Sequence, residues 1–541
     1  MFPSSLRCHA YGVGQEGEGV CLLLELGPHR VLLDCGLRDL TVLQSEVPGQ
    51  GNGVASEDRT PAFDFVFCSH AHPDHSRGLR RLRQTSPELP IYLSAVTATL
   101  LEAQSGQALN VQVLPWRSPL QLPHSTLQVQ LLPAGHLPGA AALLLTYSAP
   151  ERTYTLLYTG DFCRTNLRLT EGLNLESLRG AAPDVLIAEG SYGMARYPHR
   201  RQQEQQLLAQ LERELGQGRA VLLLTPPLGL AQELLILLRS HHHFTGRDLD
   251  IWVDEPIARF CDAYLELLPH LPIAIQNFAR HQELFWDAQV LPRSQRLPIP
   301  GAPPPQGDSP MLLLSDRLPD WLWSPEQTDQ NWCCFVPQRE LNQLVFDPEQ
   351  LRSLPWSVIP YGLTDHSDGT NTLQLIHTIR PQHIVLIHGS PRNLAQLTNE
   401  TELQNRYQLH CPRPQTTVEL PLGDRFVQPA LPAPSTYTGE VTESDADVMI
   451  TLPPDLTTAP QWANFANTGI ITARWQGNDL CLRGLSQRQL LEQLSSPAPE
   501  EIMSTCARCQ YYQPPHCQNL RSPLYQRLVS PEGSCPLFEE Q

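Results

Sequence analysis

The amino-acid sequence predicts a layered α/β fold that is interrupted by an inserted domain. The first 195 residues contain five apolar runs of strand length, at 21–26, 30–36, 63–69, 155–161 and 184–190. The last three runs end in polar or acidic side chains, and layered α/β folds typically present chemical groups at the carboxyl ends of their strands. A sixth run, at 383–389, repeats this pattern after a long interval.

The interval between these runs predicts a second α/β domain. Residues 201–215 have helical periodicity, and the strand-like runs at 220–225 and 250–254 are each followed by a helix-forming segment. The chain therefore divides into six predicted segments: a first layered segment at 1–195, an inserted α/β domain at 196–345, a return to the first fold at 346–427, a proline-rich acidic linker at 428–445, a small β-rich module at 446–495 and a four-cysteine module at 500–541.

The composition excludes wholesale disorder and limits how nucleic acid could bind. Hydrophobic residues make up 41% of the chain, which is enough to bury a large core, while the formal net charge is -18. A polyanion does not attract phosphates over its whole surface, so a nucleic-acid site must be local and built from metal or clustered arginine, because the chain contains no lysine. No apolar stretch reaches the roughly 20 residues of a transmembrane helix. The scattered cysteines indicate a reducing cytoplasm.

The strongest chemical signal is the segment HAHPDH, which directly follows an apolar strand. It offers four potential metal ligands: His70, His72, Asp74 and His75. Imidazole and carboxylate groups suit zinc at neutral pH. Four such groups on one tight loop cannot all reach one small ion, but they can serve two adjacent ions. A solvated polar loop is the structural alternative, and the density of ligands after a strand argues against it.

Three further ligand candidates stand at the ends of other predicted strands. His136 lies in LPAGHLPGA, Asp161 ends TLLYTGD and His388 ends IVLIHG. The glycines beside His136 allow a close backbone approach. Together with the HAHPDH loop these residues supply seven ligands, which is the number that a bridged dinuclear site needs.

These motifs resemble those of a known family. HAHPDH, the segment LLDCG around Asp34, AGHLPGA, YTGD and IHG are similar to the five motifs of the metallo-β-lactamase superfamily. At the borders of the long insertion, AEGSYG at 188–193 and LTDHSD at 363–368 resemble the acidic motif and the histidine-containing motif of the β-CASP nucleases, which include RNase J-type and polyadenylation-type endonucleases. A histidine at position 388 is similar to the RNA-processing branch, whereas DNA-repair members carry an aliphatic residue there.

The resemblance implies a four-layer αββα metallo-β-lactamase fold with an inserted α/β β-CASP domain. It also implies two zinc ions with seven ligands: His70, His72 and His136 for one ion, Asp74, His75 and His388 for the other, and Asp161 as the bridge. A hydroxide shared by the two ions would attack a phosphorus centre in line.

The resemblance further assigns residues that act around the metal ligands. Asp34 would orient the ligands from outside the coordination sphere. His366 would contact the scissile phosphate or protonate the leaving oxygen, and Glu189 would hydrogen-bond and orient His366. Together with Asp74, these are the predicted catalytic residues.

The insertion departs from the family pattern at two positions. Leu230 stands where an arginine is expected, and Glu255 stands where a serine is usual. Both departures leave the metal motifs intact and bear on the surface that would bind substrate phosphates.

The last 40 residues predict a second metal site. Its four candidate ligands are Cys506, Cys509, Cys517 and Cys535. Four thiolates in so short a segment fit a tetrahedral zinc site and equally fit an iron–sulfur cluster. The spacing of the cysteines leaves both open.

The leading functional prediction is a cytoplasmic metal-dependent ribonuclease that cleaves single-stranded RNA and has no membrane partner. A hydrolase of small esters or thioesters on the same metal site and a non-catalytic scaffold in an RNA-processing complex are the alternatives. The insertion with Glu189 and His366 argues against the first, and seven intact ligands argue against the second. A DNA nuclease is disfavoured by His388, and the net charge of -18 counts against any polynucleotide substrate. The polarity of cleavage and the oligomeric state, for which a homodimer is one option, stay open.

Overall fold

The structure is a computed structural model, and it divides the chain into two compact units. The units are Met1–Pro429 with Trp475–Asn478, and Ala430–Arg474 with Asp479–Gln541. The residues that the structure describes are 6–15, 17–43, 63–123, 125–150, 152–305, 307, 309–323, 331–338, 354, 356–422, 436–443, 448–451, 471–476, 479–484, 509–513 and 516–519. None of the described helices is long and apolar enough to span a membrane.

Two seven-stranded sheets form the larger part of the first unit. The first sheet contains β1 (Leu6–Val13), β2 (Val20–Leu26), β3 (His29–Leu33), β4 (Phe65–Phe67), β5 (Ile91–Leu93) and β6 (Gln112–Val113), with β20 (Thr416–Leu420) beside β1. The second sheet contains β7 (Leu120–Gln121), β8 (Leu127–Pro133), β9 (Ala141–Ser148), β10 (Thr153–Tyr158), β11 (Val185–Glu189), β18 (His383–Ile387) and β19 (Gln408–His410). In the second sheet the spatial order is β19-β18-β11-β10-β9-β8-β7.

The two sheets pack face to face over one apolar core. Leu22 and Leu24 of β2 lie in the same buried cluster as Leu143 of β9 and Val185 of β11. The alternate residues of β2, such as Leu23, belong to a second cluster on the outer face of the sheet. Both faces of β2 are therefore buried, which explains why its sequence VCLLLEL is almost uniformly apolar.

Helices cover the outer faces of both sheets. The α-helices among the described residues are α1 (Pro73–Ser76), α2 (Leu79–Thr85), α3 (Ala95–Ser105), α4 (Arg200–Gly216), α5 (Leu230–Ser240), α6 (Glu255–Glu266), α7 (Ile273–Ala279), α8 (Gly369–Ile379), α9 (Pro391–Thr398) and α10 (Thr401–Gln404), of which α4 to α7 belong to the inserted segment. Leu79 of α2 and Leu100 of α3 pack in the cluster that contains Leu23 of β2, and Leu375 of α8 packs with Ile384 of β18. The layers are thus helix, sheet, sheet and helix, and the predicted α/β fold is confirmed.

The inserted segment builds a separate parallel sheet. Its strands are β12 (Ala220–Leu224), β13 (Asp250–Val253), β14 (Arg293–Arg296), β15 (Met311–Ser315), β16 (Trp332–Pro337) and β17 (Ser357–Tyr361), in the spatial order β14-β13-β15-β12-β16-β17. Each neighbouring pair is parallel, so crossover segments that include α5 and α6 must connect them. The boundary that the sequence predicts, residue 345, falls before the last strand of this sheet.

The second unit contains short strands. A four-stranded sheet has the order β22-β21-β24-β23, built from β21 (Thr436–Glu443), β22 (Val448–Thr451), β23 (Ile471–Gln476) and β24 (Asp479–Gly484). β21 lies within the segment that the sequence predicts as a linker, because its threonines and valine favour extended backbone more than the surrounding prolines suggest. β25 (Tyr512–Gln513) and β26 (His516–Cys517) form a hairpin. Cys506 and Cys535 lie outside the described residues.

Gly36 packs directly against the backbone of the HAHPDH loop, so the space at this position limits where the loop can lie. A Cβ atom at this position would lie 1.6 Å from the backbone oxygen of Asp74. Replacing Gly36 with alanine should therefore displace α1 and lower the free energy of unfolding by about 1–3 kcal/mol, measured by urea denaturation. The matched control is Gly216→Ala, where an added Cβ meets nothing within 4 Å. Equal stability of the two variants would contradict this account of the loop.

Candidate metal centre

The predicted ligands converge at one edge of the paired sheets. His70 and His72 follow β4, and α1 carries Asp74 and His75. His136 follows β8, Asp161 follows β10 and His388 follows β18 directly. Each group therefore stands beyond the end of a strand. Because β4 belongs to the first sheet and β8, β10 and β18 belong to the second, the packing of the two sheets brings these ends together.

His70, His72 and His136 form the first ligand group. His72 Nδ1 lies 3.2 Å from His70 Nε2 and 3.0 Å from His136 Nε2. With Asp161, the candidate ligand atoms of this group all lie within 4.8 Å of one another. Three ring nitrogens thus face one point, which is the arrangement that a single cation requires.

Asp74, His75 and His388 form the second ligand group. His388 Nε2 lies 3.1 Å from Asp74 Oδ2, and His75 Nε2 lies 3.9 Å from the same oxygen. The three candidate ligand atoms lie within 4.8 Å of one another. Asp74 is the most exposed of the three, with a side-chain exposure of 37%, so this group faces the opening of the site.

Asp161 lies between the two groups and directs one carboxylate oxygen to each. Its Oδ2 is 3.6 Å from His70 Nε2 and 3.9 Å from His136 Nε2. Its Oδ1 is 3.3 Å from His75 Nε2 and 3.5 Å from His388 Nδ1. A carboxylate in this position can bridge two cations.

The hydrogen bonds on the outer side of the His72 and His136 rings identify the nitrogen that carries the proton in each ring. His72 Nε2 lies 3.3 Å from the carbonyl oxygen of Leu228, and His136 Nδ1 lies 3.0 Å from that of Asp365. A carbonyl oxygen only accepts hydrogen bonds, so these outer nitrogens donate. The inner nitrogens of His72 and His136 therefore hold lone pairs that point into the site.

The same logic applies to His75. Its Nδ1 donates to Asp34 Oδ2 over 2.6 Å, so Nε2 is the nitrogen that faces the site. That nitrogen and Asp161 Oδ1 are both buried and without a hydrogen-bond partner among the described residues. The two atoms lie 3.3 Å apart, and a cation between them, either a proton on Nε2 or a bound metal ion, is needed to offset the negative charge of the buried carboxylate. The donor set of nitrogen and carboxylate oxygen fits zinc.

Burial and charge shift the pKa values of the ligands in opposite directions. Burial lowers the pKa of His72 to about 4, with the neighbouring His136 charge adding to the effect. Burial also raises the pKa of Asp161, but the positive charges of His388 and His75 outweigh it and hold that pKa well below its usual range. A neutral imidazole and an ionised carboxylate are the forms that bind a metal ion.

Asp34 organises the floor of the site. It lies directly after β3 with a left-handed backbone (φ 58°), and its own backbone N–H donates to Phe67 over 2.7 Å. Its carboxylate accepts from Ser69 through both N–H and hydroxyl, and from the Tyr158 hydroxyl. These three donors fix the carboxylate that orients His75.

Glu189 and His366 form a second buried pair beside the ligands. Both carboxylate oxygens of Glu189 lie 2.8 Å from His366 Nδ1, and the ring centroid of His366 is 4.3 Å from that of His136. Burial, with the negative charge of Asp161 adding to it, raises the pKa of Glu189 to about 7. Asp368 caps α8 by accepting from the backbone of Asn371, which keeps His366 on the loop before that helix.

Leu230 and Glu255, the two departures from the family pattern, are both accommodated by the residues around them. Leu230 is buried and begins α5, where it lines a small cavity with His136, Arg200 and Glu233. Arg200 forms ion pairs with Glu204 and Glu233, so its charge is already balanced. Glu255 begins α6 and lies 3.9 Å from Arg259 one turn later.

The sequence did not identify four groups that support the site. Ser69 and Tyr158 hold Asp34, Ser191 lies 2.9 Å from His388 Nδ1, and Leu228 contributes only its backbone carbonyl. Ser69 directly precedes His70, and Ser191 lies two residues after Glu189. This closeness to predicted site residues is the one feature of the sequence that could have indicated them. A backbone carbonyl from the inserted segment has no sequence signature.

Removal of one ligand should lower the metal content. His136→Ala removes an inward-facing nitrogen, so the variant should retain less divalent metal than the wild-type protein, measured by elemental analysis after dialysis. His270→Ala, at an exposed position, is the matched control and should retain the wild-type content. Unchanged metal in His136→Ala would contradict the assignment of this residue.

Comparison with known proteins agrees with the geometry. Residues 29–223 match the beta-lactamase superfamily domain, and residues 357–412 match the Zn-dependent metallo-hydrolase RNA specificity domain. The chain is 46% identical to the uncharacterized protein sll0514 of Synechocystis sp., over 98% of this chain and 96% of that protein.

Two relatives with descriptive names are more distant. Ribonuclease TTHA0252 of Thermus thermophilus is 30% identical over 50% of this chain and 63% of its own length. Cleavage and polyadenylation specificity factor 73 of Drosophila melanogaster is 22% identical over 74% of this chain and 62% of its own length. The alignment therefore spans slightly less than two thirds of each of these two relatives. The chain belongs to the metallo-β-lactamase superfamily and, within it, to the β-CASP nuclease family, and it is a metal-dependent hydrolase.

Proposed function

We propose that this protein is a ribonuclease that cleaves single-stranded RNA at a dinuclear zinc centre. The observation that carries the proposal is the buried Glu189–His366 pair beside the ligand cluster, because it adds a proton-transfer group to a metal site. The match of residues 357–412 to an RNA specificity domain supports RNA as the substrate. The ribonuclease from Thermus thermophilus to which the chain is similar supports the same class.

The seven converging side chains would hold the two ions. The ligand set is His70, His72 and His136 for one ion, Asp74, His75 and His388 for the other, and Asp161 for both. When bound, two zinc ions supply an activated water nucleophile and charge stabilisation for in-line displacement at phosphorus. Asp34 keeps His75 in the required tautomer.

His366 would act on the leaving group. Its Nδ1–H donates to Glu189, so the opposite nitrogen, Nε2, is the atom that can exchange a proton with substrate. Protonated Nε2 donates its proton to the departing oxygen, and Glu189 stabilises the imidazolium form before the transfer. Proton transfer by a positioned histidine contributes about 10²–10⁴-fold to a rate.

A hydrolase of small esters or thioesters is the second candidate on the same metal ligands. Such substrates need no group beyond the metal centre to protonate a poor leaving oxygen, so the Glu189–His366 pair favours the phosphodiester. A non-catalytic scaffold is a weaker candidate, since each of the seven ligands is present.

The C-terminal cysteines would hold a second metal group, either zinc or an iron–sulfur cluster. Cys509 and Cys517 are both buried, and Cys517 pairs with Tyr512 across the short hairpin. A segment this small has little apolar core, so a bound metal would stabilise it. The cysteines between residues 8 and 411 that the structure describes are free thiols, as are Cys509 and Cys517, which is consistent with the cytoplasm as the proposed compartment. A brown purified protein would indicate iron–sulfur, and a colourless one zinc.

Substrate class is tested by parallel incubation with three substrates. The metal-loaded protein should shorten end-labelled single-stranded RNA, and it should leave single-stranded DNA and a generic thioester intact. The lengths of the labelled products also distinguish cleavage from an end and cleavage within the chain. Thioester hydrolysis without RNA cleavage would replace the proposal with its alternative.

The role of His366 is tested by His366→Ala. Loss of the proton donor should lower kcat for RNA cleavage by about 10²–10⁴-fold while the metal content stays at the wild-type value. His270→Ala, at an exposed site, should retain full activity. Full activity in His366→Ala would remove this residue from the mechanism.

A further inference from the structure

One loop of the inserted domain forms a hydrogen bond with a predicted ligand of the metal centre. Residues 225–229 connect β12 to α5, and the carbonyl oxygen of Leu228 accepts from His72 Nε2 over 3.3 Å. A Cβ atom added at Gly229 would lie 3.9 Å from the same nitrogen. The tip of the loop therefore lies directly against the outer side of a predicted ligand.

This contact determines which nitrogen His72 offers to a metal. Because Leu228 contributes an acceptor, the proton stays on Nε2 and the lone pair stays on Nδ1. Nδ1 is the atom that lies 3.2 Å from His70 Nε2 and 3.0 Å from His136 Nε2. Without the carbonyl, His72 would be free to adopt the other tautomer or to rotate away from the ligand group.

Gln232 holds this loop in place from the first turn of α5. Its side chain is fully buried, its Oε1 accepts from the Gly229 N–H over 2.8 Å, and its Nε2 donates to the Pro227 carbonyl over 3.0 Å. The two bonds enclose Leu228 from both sides. A third bond, from Nε2 to the Ile257 carbonyl over 3.3 Å, ties the arrangement to α6.

Gly229 makes the turn of the loop possible. Its φ of +91° is a conformation that residues with a side chain rarely adopt. The sharp turn directs the preceding carbonyl, that of Leu228, toward His72. The hydrogen bond between the loop and His72 therefore uses the backbone oxygen of Leu228 and not a side chain of the loop.

We propose that Gln232 is a positioning residue of the metal centre: it fixes the Leu228 carbonyl, which in turn holds His72 in the tautomer and orientation that bind metal. Metal loading and the docking of this loop are therefore coupled. By reciprocity, a metal ion at the first ligand group should stabilise the loop as much as the loop stabilises the ion. The inference rests on His72 as a ligand and does not depend on RNA as the substrate.

The coupling is tested first by Gln232→Met, which keeps the length of the side chain and removes both polar groups. Zinc affinity, measured by competition with a chromogenic chelator, should fall by about 10–100-fold, the range found when partners of metal-ligating histidines are removed. Gln205→Met, at an exposed position of α4, is the matched control and should bind zinc as the wild-type protein does. A purely structural role for Gln232 would lower the melting temperature of the metal-free protein and leave zinc affinity unchanged, which would overturn the proposal.

The reciprocal effect is measured on the wild-type chain, so it stays decisive if Gln232→Met does not fold. Hydrogen exchange of the peptide that contains residues 225–232 should be slower in the zinc-loaded protein than in the metal-free protein. A peptide from α7 serves as the reference in the same digest. If the hydrogen-exchange rate of residues 225–232 is the same with and without zinc, the proposed coupling is wrong. A protein that shows the coupling but does not cleave RNA would refute the proposed function alone.

Discussion

The organisation of the site follows from one electrostatic constraint: inward lone pairs and carboxylates are concentrated in a pocket from which water is largely excluded. His70, His75 and Asp161 are almost fully buried, and Asp161 directs an oxygen at each of the two ligand groups. Such an arrangement is unfavourable without positive charge between the donors. The buried Oδ1 of Asp161 and Nε2 of His75, which lack hydrogen-bond partners among the described residues, mark where that charge belongs.

The surrounding hydrogen bonds are arranged to maintain this constraint. Asp34, the Asp365 carbonyl and the Leu228 carbonyl each accept a hydrogen bond from the outer nitrogen of a ring, and each thereby directs the other ring nitrogen inward. Asp34 and His388 also adopt left-handed backbone at the ends of their strands. Strained conformations of this kind cost about 1–3 kcal/mol each, and the paired sheets hold them in place through backbone bonds to Phe67 and Val13.

The sequence predicted the α/β class and named seven candidate ligands that the structure brings close together, but it predicted the supporting contacts poorly. HAHPDH follows a strand, and apolar runs precede Asp161 and His388. These candidate ligands could be recognised because the neighbouring residues alone indicate the end of a strand. The hydrogen bond from His72 to Leu228 joins residues 156 positions apart through a backbone atom, and no residue type indicates it. The strand Thr436–Glu443 was missed for a different reason, because the composition of its proline-rich surroundings outweighed its own β-branched residues.

Asp161 directs one carboxylate oxygen to each of the two proposed cation sites. Diffraction from crystals of the zinc-loaded protein, with data collected on both sides of the zinc absorption edge, tests it most directly. If Asp161 bridges two zinc ions, two anomalous peaks should appear about 3.5–4 Å apart, one beside His70, His72 and His136 and the other beside Asp74, His75 and His388. A single peak, or none near Asp161, would contradict it.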